Sequence, residues 1–125
     1  MEILDILKAL SDETRIRMIN LLKHEALCVC ELEVLLDLSQ SNASRHVTKL
    51  KNAKLVIGEK KAQWVYYRLD EHVLEKFSFL HALFNEDITR VQQCQTDMIR
   101  LRKHKKSGIG CEELIANKNT KNNLQ

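Results

Sequence analysis

Apolar residues recur at helical spacing from Ile3 to Leu50, switch to alternation over residues 55–69, and return to helical spacing from Phe77 to Leu101. That order constrains the chain to helices interrupted by a single β-hairpin. Proline is absent, no internal repeat occurs, and no cysteine–histidine spacing suggests a metal finger. At 125 residues the chain fits one domain whose core stands without staples.

Residues 2–10 put Ile3, Ile6, Leu7 and Leu10 on a short amphipathic helix. Ser11-Asp12-Glu13 supplies an N-cap and an acidic first turn for a second helix, from about Glu13 to Lys23. It buries Ile16, Ile19 and Leu22 and leaves Arg15 and Arg17 on a solvated flank. Cys30 to Leu36 forms a third, short helix with Leu32, Leu35 and Leu36 inward. Leu38-Ser39-Gln40-Ser41 is a turn, and a fourth helix runs from about Ser41 to Ala53 over an apolar stripe of Ala43, Val47 and Leu50. Its opposite face holds Ser41, Ser44, Arg45, Thr48, Lys49 and Asn52. On its own this is a solvated helix face. After a helix and a turn it is also a set of hydroxyl, amide and cationic groups suited to base edges and phosphates.

Val56 and Ile57, then Val65, Tyr67 and Leu69, fit two strands rich in branched and aromatic residues. Glu59-Lys60-Lys61-Ala62-Gln63 lies between them as the hairpin tip, without the Asn-Gly or Gly-Gly pair that marks a tight turn. A hairpin following a reading helix is a wing, and Lys60 and Lys61 suit contacts to a nucleic-acid backbone. From His72 to about Leu101 the pattern predicts the longest helix, with Phe77, Leu80, Phe84, Ile88, Val91, Met98 and Leu101 near one face. So much apolar length predicts a second subunit packed there and on the first helix, through Ile3, Leu7, Phe77, Leu80, Phe84, Ile88 and Val91. The fold expected is mainly α with a small β-hairpin, a dimeric winged helix-turn-helix over residues 1–102. Residues 103–125 read as a basic and polar tail, disordered over about 107–125.

Charge follows the same division. Residues 1–37 carry four basic and eight acidic side chains, and 64–99 carry three and six. Residues 38–63 carry six and one, and 100–125 seven and two. One basic block therefore coincides with the reading helix and wing. No run approaches the roughly eighteen apolar residues of a membrane span, and the acidic, amphipathic start is unlike a signal peptide, so the expected compartment is the cytoplasm. Four cysteines in a reducing compartment are poor candidates for structural disulfides, which leaves metal, redox or packing roles.

The chain resembles the ArsR/SmtB family of dimeric metal-responsive repressors over roughly residues 1–100. The marks are Ala9-Leu10-Ser11-Asp12-Glu13-Thr14-Arg15-Ile16-Arg17, Cys28-Val29-Cys30-Glu31-Leu32, Leu38-Ser39-Gln40-Ser41 with Ser44-Arg45-His46, and Trp64-Val65-Tyr66-Tyr67-Arg68-Leu69. The Cys-Val-Cys segment is similar to the arsenic-sensing branch, and the same paired thiols occur in cadmium- and lead-sensing relatives. The resemblance implies a homodimer on double-stranded operator DNA, released by As(III) or Sb(III), with Cd(II), Pb(II) or thiol oxidation as alternative signals. It implies DNA contacts from Ser39, Gln40, Ser41, Asn42, Ser44, Arg45, His46, Thr48, Lys49, Lys60 and Lys61. No catalytic residue, membrane partner or small organic substrate is implied. Two departures stand out. Glu33 occupies the place where arsenic sensors often have a third cysteine, and the N-terminal cysteines of the cadmium type are absent. His72, His81 and Asp87 do not reproduce the spacing of zinc- and nickel-type sites.

Soft ions prefer thiolates, and As(III) takes three. Two sulfurs on one ion must lie roughly 3–4 Å apart, given metal–sulfur bonds of about 2.3 Å. In a regular helix, residues i and i+2 point about 200° apart, so chelation by Cys28 and Cys30 is expected to unwind or re-aim the start of the third helix. The third donor is open among Cys111, Cys94, solvent and a small thiol; of the two cysteines Cys111 is preferred, because Cys94 lies close to the apolar stripe, with solvent or a small thiol on an equal footing. Cys94 to Arg100 also matches the Cys-x5-Arg loop of thiol phosphatases and arsenate reductases, but has no glycine to wrap an oxyanion and continues a helix.

Overall fold

The computed structural model describes residues 2–110 and 113–114. Helix α1 (Glu2–Leu10) leads into α2 (Glu13–Leu22), whose N-cap is Asp12, its carboxylate accepting the Arg15 N–H at 3.0 Å. A two-residue strand, β1 (Leu27–Cys28), runs directly into α3 (Val29–Leu36). Asp37 closes α3 in the left-handed region, φ 55°, and Ser39 caps α4 (Gln40–Asn52) by accepting the Asn42 N–H. The hairpin of β2 (Val56–Lys61) and β3 (Trp64–Leu69) turns on Ala62 and Gln63, with Ala62 at φ 56°. Lys60 and Lys61 therefore lie on the strand, opposite Val65 and Trp64, just before the turn. The sheet order is β1-β3-β2, all antiparallel, so β1, which ends at Cys28, pairs with the inner strand of the hairpin. Mainly helical, with this small sheet after the helix-turn-helix of α3 and α4, the fold is a winged helix-turn-helix. No described helix is long and apolar enough to cross a membrane.

The core gathers Ile6, Met18, Ile19, Leu21, Leu27, Leu32, Val47, Leu50 and Leu55 between the helices and the sheet. Two expectations change here. Arg15 and Arg17 are not a solvated flank. Arg15 is buried, its Nε donating to the Ala9 carbonyl at 2.6 Å and its Nη1 lying 3.0 Å from His46 Nδ1. Arg17 makes a two-pronged pair with Asp97, at 2.8 and 2.9 Å. Helical periodicity does not separate a guanidinium facing solvent from one facing a distant carboxylate.

The long closing helix is also interrupted. It comprises α5 (Glu71–Lys76), α6 (Phe79–Ala82), a π turn over Leu83–Asp87, a 3₁₀ turn over Ile88–Arg90, and α7 (Gln92–Ser107). Phe77 leaves helical geometry at φ −123°, ψ 90°, and Val91 is extended. Mixing turns of different width keeps Leu80, Phe84 and Ile88, each four residues apart, on one side. All three are buried within the single chain, so their burial requires no second subunit. Helix α7 continues past Arg102 to Ser107 and ends on Gly108 in the left-handed region, φ 66°, so residues 103–107 are helical rather than tail.

Candidate DNA-reading face and thiol site

Helix α4 buries Ala43, Val47 and Leu50 and exposes Gln40, Ser41, Asn42, Arg45, Thr48 and Lys49, with Ser44 half-buried. Arg45 leans on Asn42, its Nη2 donating to Oδ1 at 3.3 Å. Ser39 is exposed but engaged as the N-cap, its hydroxyl 3.4 Å from that of Ser41. His46 is different. It is buried against Arg15 and Asp12, and burial lowers its pKa. A side chain so enclosed holds α4 to α2 and cannot reach a base edge from this position. Lys60 and Lys61 are exposed on the wing, and the Lys61 ammonium sits 5.9 Å from the centre of the Tyr66 ring.

The thiol site starts from the junction of β1 and α3. Cys28 is the N-cap of α3 and has extended backbone, φ −85°, ψ 168°, while Cys30 lies in the first helical turn. The i, i+2 divergence of a regular helix therefore does not apply between them. Their sulfurs lie 2.8 Å apart on one side of the chain, Cys28 as part of a disulfide and Cys30 as a free thiol, so the expectation that no cysteine here forms a disulfide is corrected at Cys28. Once Cys28 is reduced, a modest change of side-chain torsion reaches the roughly 3–4 Å that two donors on one soft ion require. The premise that both cysteines stand in a regular helix is corrected, because the helix begins one residue after Cys28. Burial, with the Glu31 and Glu33 carboxylates adding to it, pushes the Cys30 thiol up to about 11.

Three neighbours of this pair were not singled out from sequence. Glu31 Oε1 accepts the backbone N–H of Cys28 at 3.1 Å, and its Oε2 lies 2.6 Å from His104 Nε2 on α7. Tyr66 of β3 stands opposite Cys28 in the sheet. The spacing of Glu31, three residues after Cys28, is a capping-box signal legible in the sequence once Cys28 is taken as the cap. Nothing local in the sequence marks His104 or Tyr66. Cys94 is buried on α7 where Asn20 donates to its carbonyl, ten residues before His104. Ten helical residues span about 15 Å, which separates Cys94 from the pair. Residues 94–100 lie wholly within α7, so the Cys-x5-Arg match forms no phosphate loop. Cys111 lies outside the described residues. Among those described, no three histidine, cysteine or acidic side chains gather as a metal site.

A family model for bacterial regulatory proteins of the arsR family matches residues 12–57. Over 69 residues the chain is 48% identical to the arsenic resistance transcriptional regulator ArsR1 of Pseudomonas putida, covering 54% of each protein. The chain thus spans about half the length of that relative. Over 85 residues it is 40% identical to the cadmium resistance transcriptional regulatory protein CadC homolog of Staphylococcus aureus, covering 65% of this chain and 70% of that one. A solved homodimeric winged helix-turn-helix DNA-binding domain from Mycobacterium bovis superposes with TM-score 0.59 at 23% identity, covering 68% of this chain and 80% of that one. At that identity the likeness shows the fold alone.

Proposed function

This chain belongs to the arsR family of bacterial regulatory proteins, and on that premise we propose that it is a cytoplasmic, homodimeric repressor released from operator DNA by As(III) or Sb(III). The observation that carries the reading is the convergence of the Cys28 and Cys30 sulfurs, 2.8 Å apart, at the cap of the helix preceding the reading turn. In the reduced protein Cys28 and Cys30 would hold a soft ion between them, which would fix the β1–α3 junction in one arrangement. Two elements then feel that arrangement: α3, which orients α4 through the turn at Asp37–Ser39, and β1, which pairs with β3 of the wing. Solvent, a small thiol or Cys111 completes the three donors that As(III) takes. A thiol-oxidation switch is the second reading, and the disulfide at Cys28 is the observation that favours it.

The test is a titration of operator binding by the reduced protein against As(III), Sb(III), Cd(II), Pb(II), Zn(II) and peroxide. Release at the lowest concentrations by As(III) or Sb(III) is expected. Release by Cd(II) or Pb(II) alone would move the protein to the cadmium-sensing type, and release by peroxide alone would discard the ion.

Arg45 and Lys60 separate reading from holding. Arg45→Ala should weaken operator binding by about 1–3 kcal/mol, as expected of a base contact. Lys60→Ala should lower affinity for all sequences and flatten the salt dependence by about one ion. An unchanged operator affinity in Arg45→Ala, with the fold intact, would take α4 out of the interface.

For the dimer, the proposed surface is the apolar area that the single chain leaves open. Leu4 and Leu7 of α1 are each 47% exposed, with Phe79 and Val91 exposed and Ile3 and Phe77 half-buried. An ion pair of Glu2 with Lys76 brings the start of α1 to the end of α5. The double variant Leu4→Glu/Leu7→Glu should sediment as a folded monomer and lose operator affinity with it. A wild type that is monomeric at micromolar concentration defeats the proposal.

A further inference from the structure

We infer that His104 is a positioning residue for the thiol pair, acting through Glu31, and that α7 is the splint holding the sensor in its receptive geometry; this rests on the sensor reading above. The Glu31 carboxylate holds two things at once. Its Oε1 accepts the Cys28 N–H at 3.1 Å, and its Oε2 receives the His104 Nε2–H at 2.6 Å. The Glu31 and His104 side chains are each only 10% exposed, so the contact is shielded from competing water. The first bond matters because Cys28 must stay extended for its sulfur to turn toward Cys30. A Glu31 side chain free to swing would release the N–H and, with it, the backbone torsion that aims the sulfur. The second bond matters because it fixes that side chain from a different element, 73 residues away in the chain.

A second tie makes α7 a splint. Arg100, one turn before His104, donates to the Leu35 carbonyl at 3.2 Å. That carbonyl belongs to the last turn of α3, where carbonyls have no helical donor. Helix α7 therefore grips α3 at both ends, antiparallel to it, with the thiol pair at the gripped N-terminus. Partners that orient ligating groups without touching the ion typically contribute 10–100-fold to affinity.

Phenylarsine oxide is a suitable probe, because its arsenic keeps the phenyl group and needs only two thiols. In the reduced protein the two S–H protons leave with the oxide oxygen as one water, and two As–S bonds form. His104→Ala should weaken phenylarsine oxide binding by about tenfold or more and accelerate hydrogen exchange at the Cys28 amide beyond that of other core amides, with ion-free operator affinity near wild type. His104→Gln, whose amide N–H can occupy the Nε2–H position, should restore both binding and amide protection, which a role in bulk stability would not predict. Unchanged affinity or unchanged Cys28 protection in His104→Ala overturns the inference while leaving the sensor reading intact. A wild type that takes up no phenylarsine oxide sinks the sensor reading itself, and this inference with it.

Discussion

Replacing both Cys28 and Cys30 with serine should abolish release from operator DNA by As(III) while leaving ion-free DNA affinity within about twofold of wild type, the range of a substitution away from the contact surface. Neither sulfur lies on the exposed face of α4 or on the outer part of the wing, so reading should survive. Linkage fixes the rest. An ion that releases the protein must bind the DNA-bound form more weakly than the free form, typically by about 1–3 kcal/mol of coupling. Without its donors that difference vanishes, whatever the concentration of ion. Each single serine variant should also lose induction, because one thiolate cannot chelate. Truncation after Ser107 then asks about Cys111. Loss of tight As(III) binding would assign it the third position, and unchanged binding would leave solvent or a small thiol there. Full induction in the double serine variant would end the argument for this site.

On the proposed reading, the route from thiols to DNA would have two branches, the second through the sheet. Cys28 pairs with Tyr66 across β1 and β3, and the Lys61 ammonium lies over the Tyr66 ring. An ion that shifts Cys28 thus acts on a strand whose hairpin partner carries the basic wing residues, as well as on α3 and, through its turn, on α4. The wing branch was not legible from sequence, because a two-residue strand at Leu27–Cys28 has no periodicity to read. The same limit governs the other differences. The period change at Leu55 located the hairpin, and the apolar stripes located α1 to α4 within a residue or two, because each is a local amphipathic pattern. The region after Asp70 misled because Leu80, Phe84 and Ile88 keep a helix-like spacing through π and 3₁₀ turns. Arg15, Arg17, His46 and His104 were misread or missed for one reason. Each owes its role to a partner distant in sequence, and a charge pattern along one helix says nothing about what packs against it.

Arg17 and Asp97 give that point its largest expected energetic consequence. Asp97 is fully buried on α7, and its two oxygens receive both prongs of Arg17 from α2, whose side chain is 17% exposed. The paired carboxylate raises the pKa of Arg17, which stays charged. Two buried charges of this kind contribute little net stability as a pair, because desolvation offsets most of their attraction. Removing one partner is another matter, since the other remains desolvated and uncompensated. Asp97→Ala should therefore cost about 3 kcal/mol, the lower end for a broken buried pair because Arg17 retains some access to water. Replacing both, as Arg17→Met/Asp97→Leu, should recover most of that loss by substituting apolar packing for the pair. Urea unfolding of the three proteins is the measurement. An Asp97→Ala midpoint indistinguishable from wild type, or a double variant less stable than Asp97→Ala, would show that α7 is held to α2 by the neighbouring apolar contacts and the Asn20 bond rather than by this ion pair.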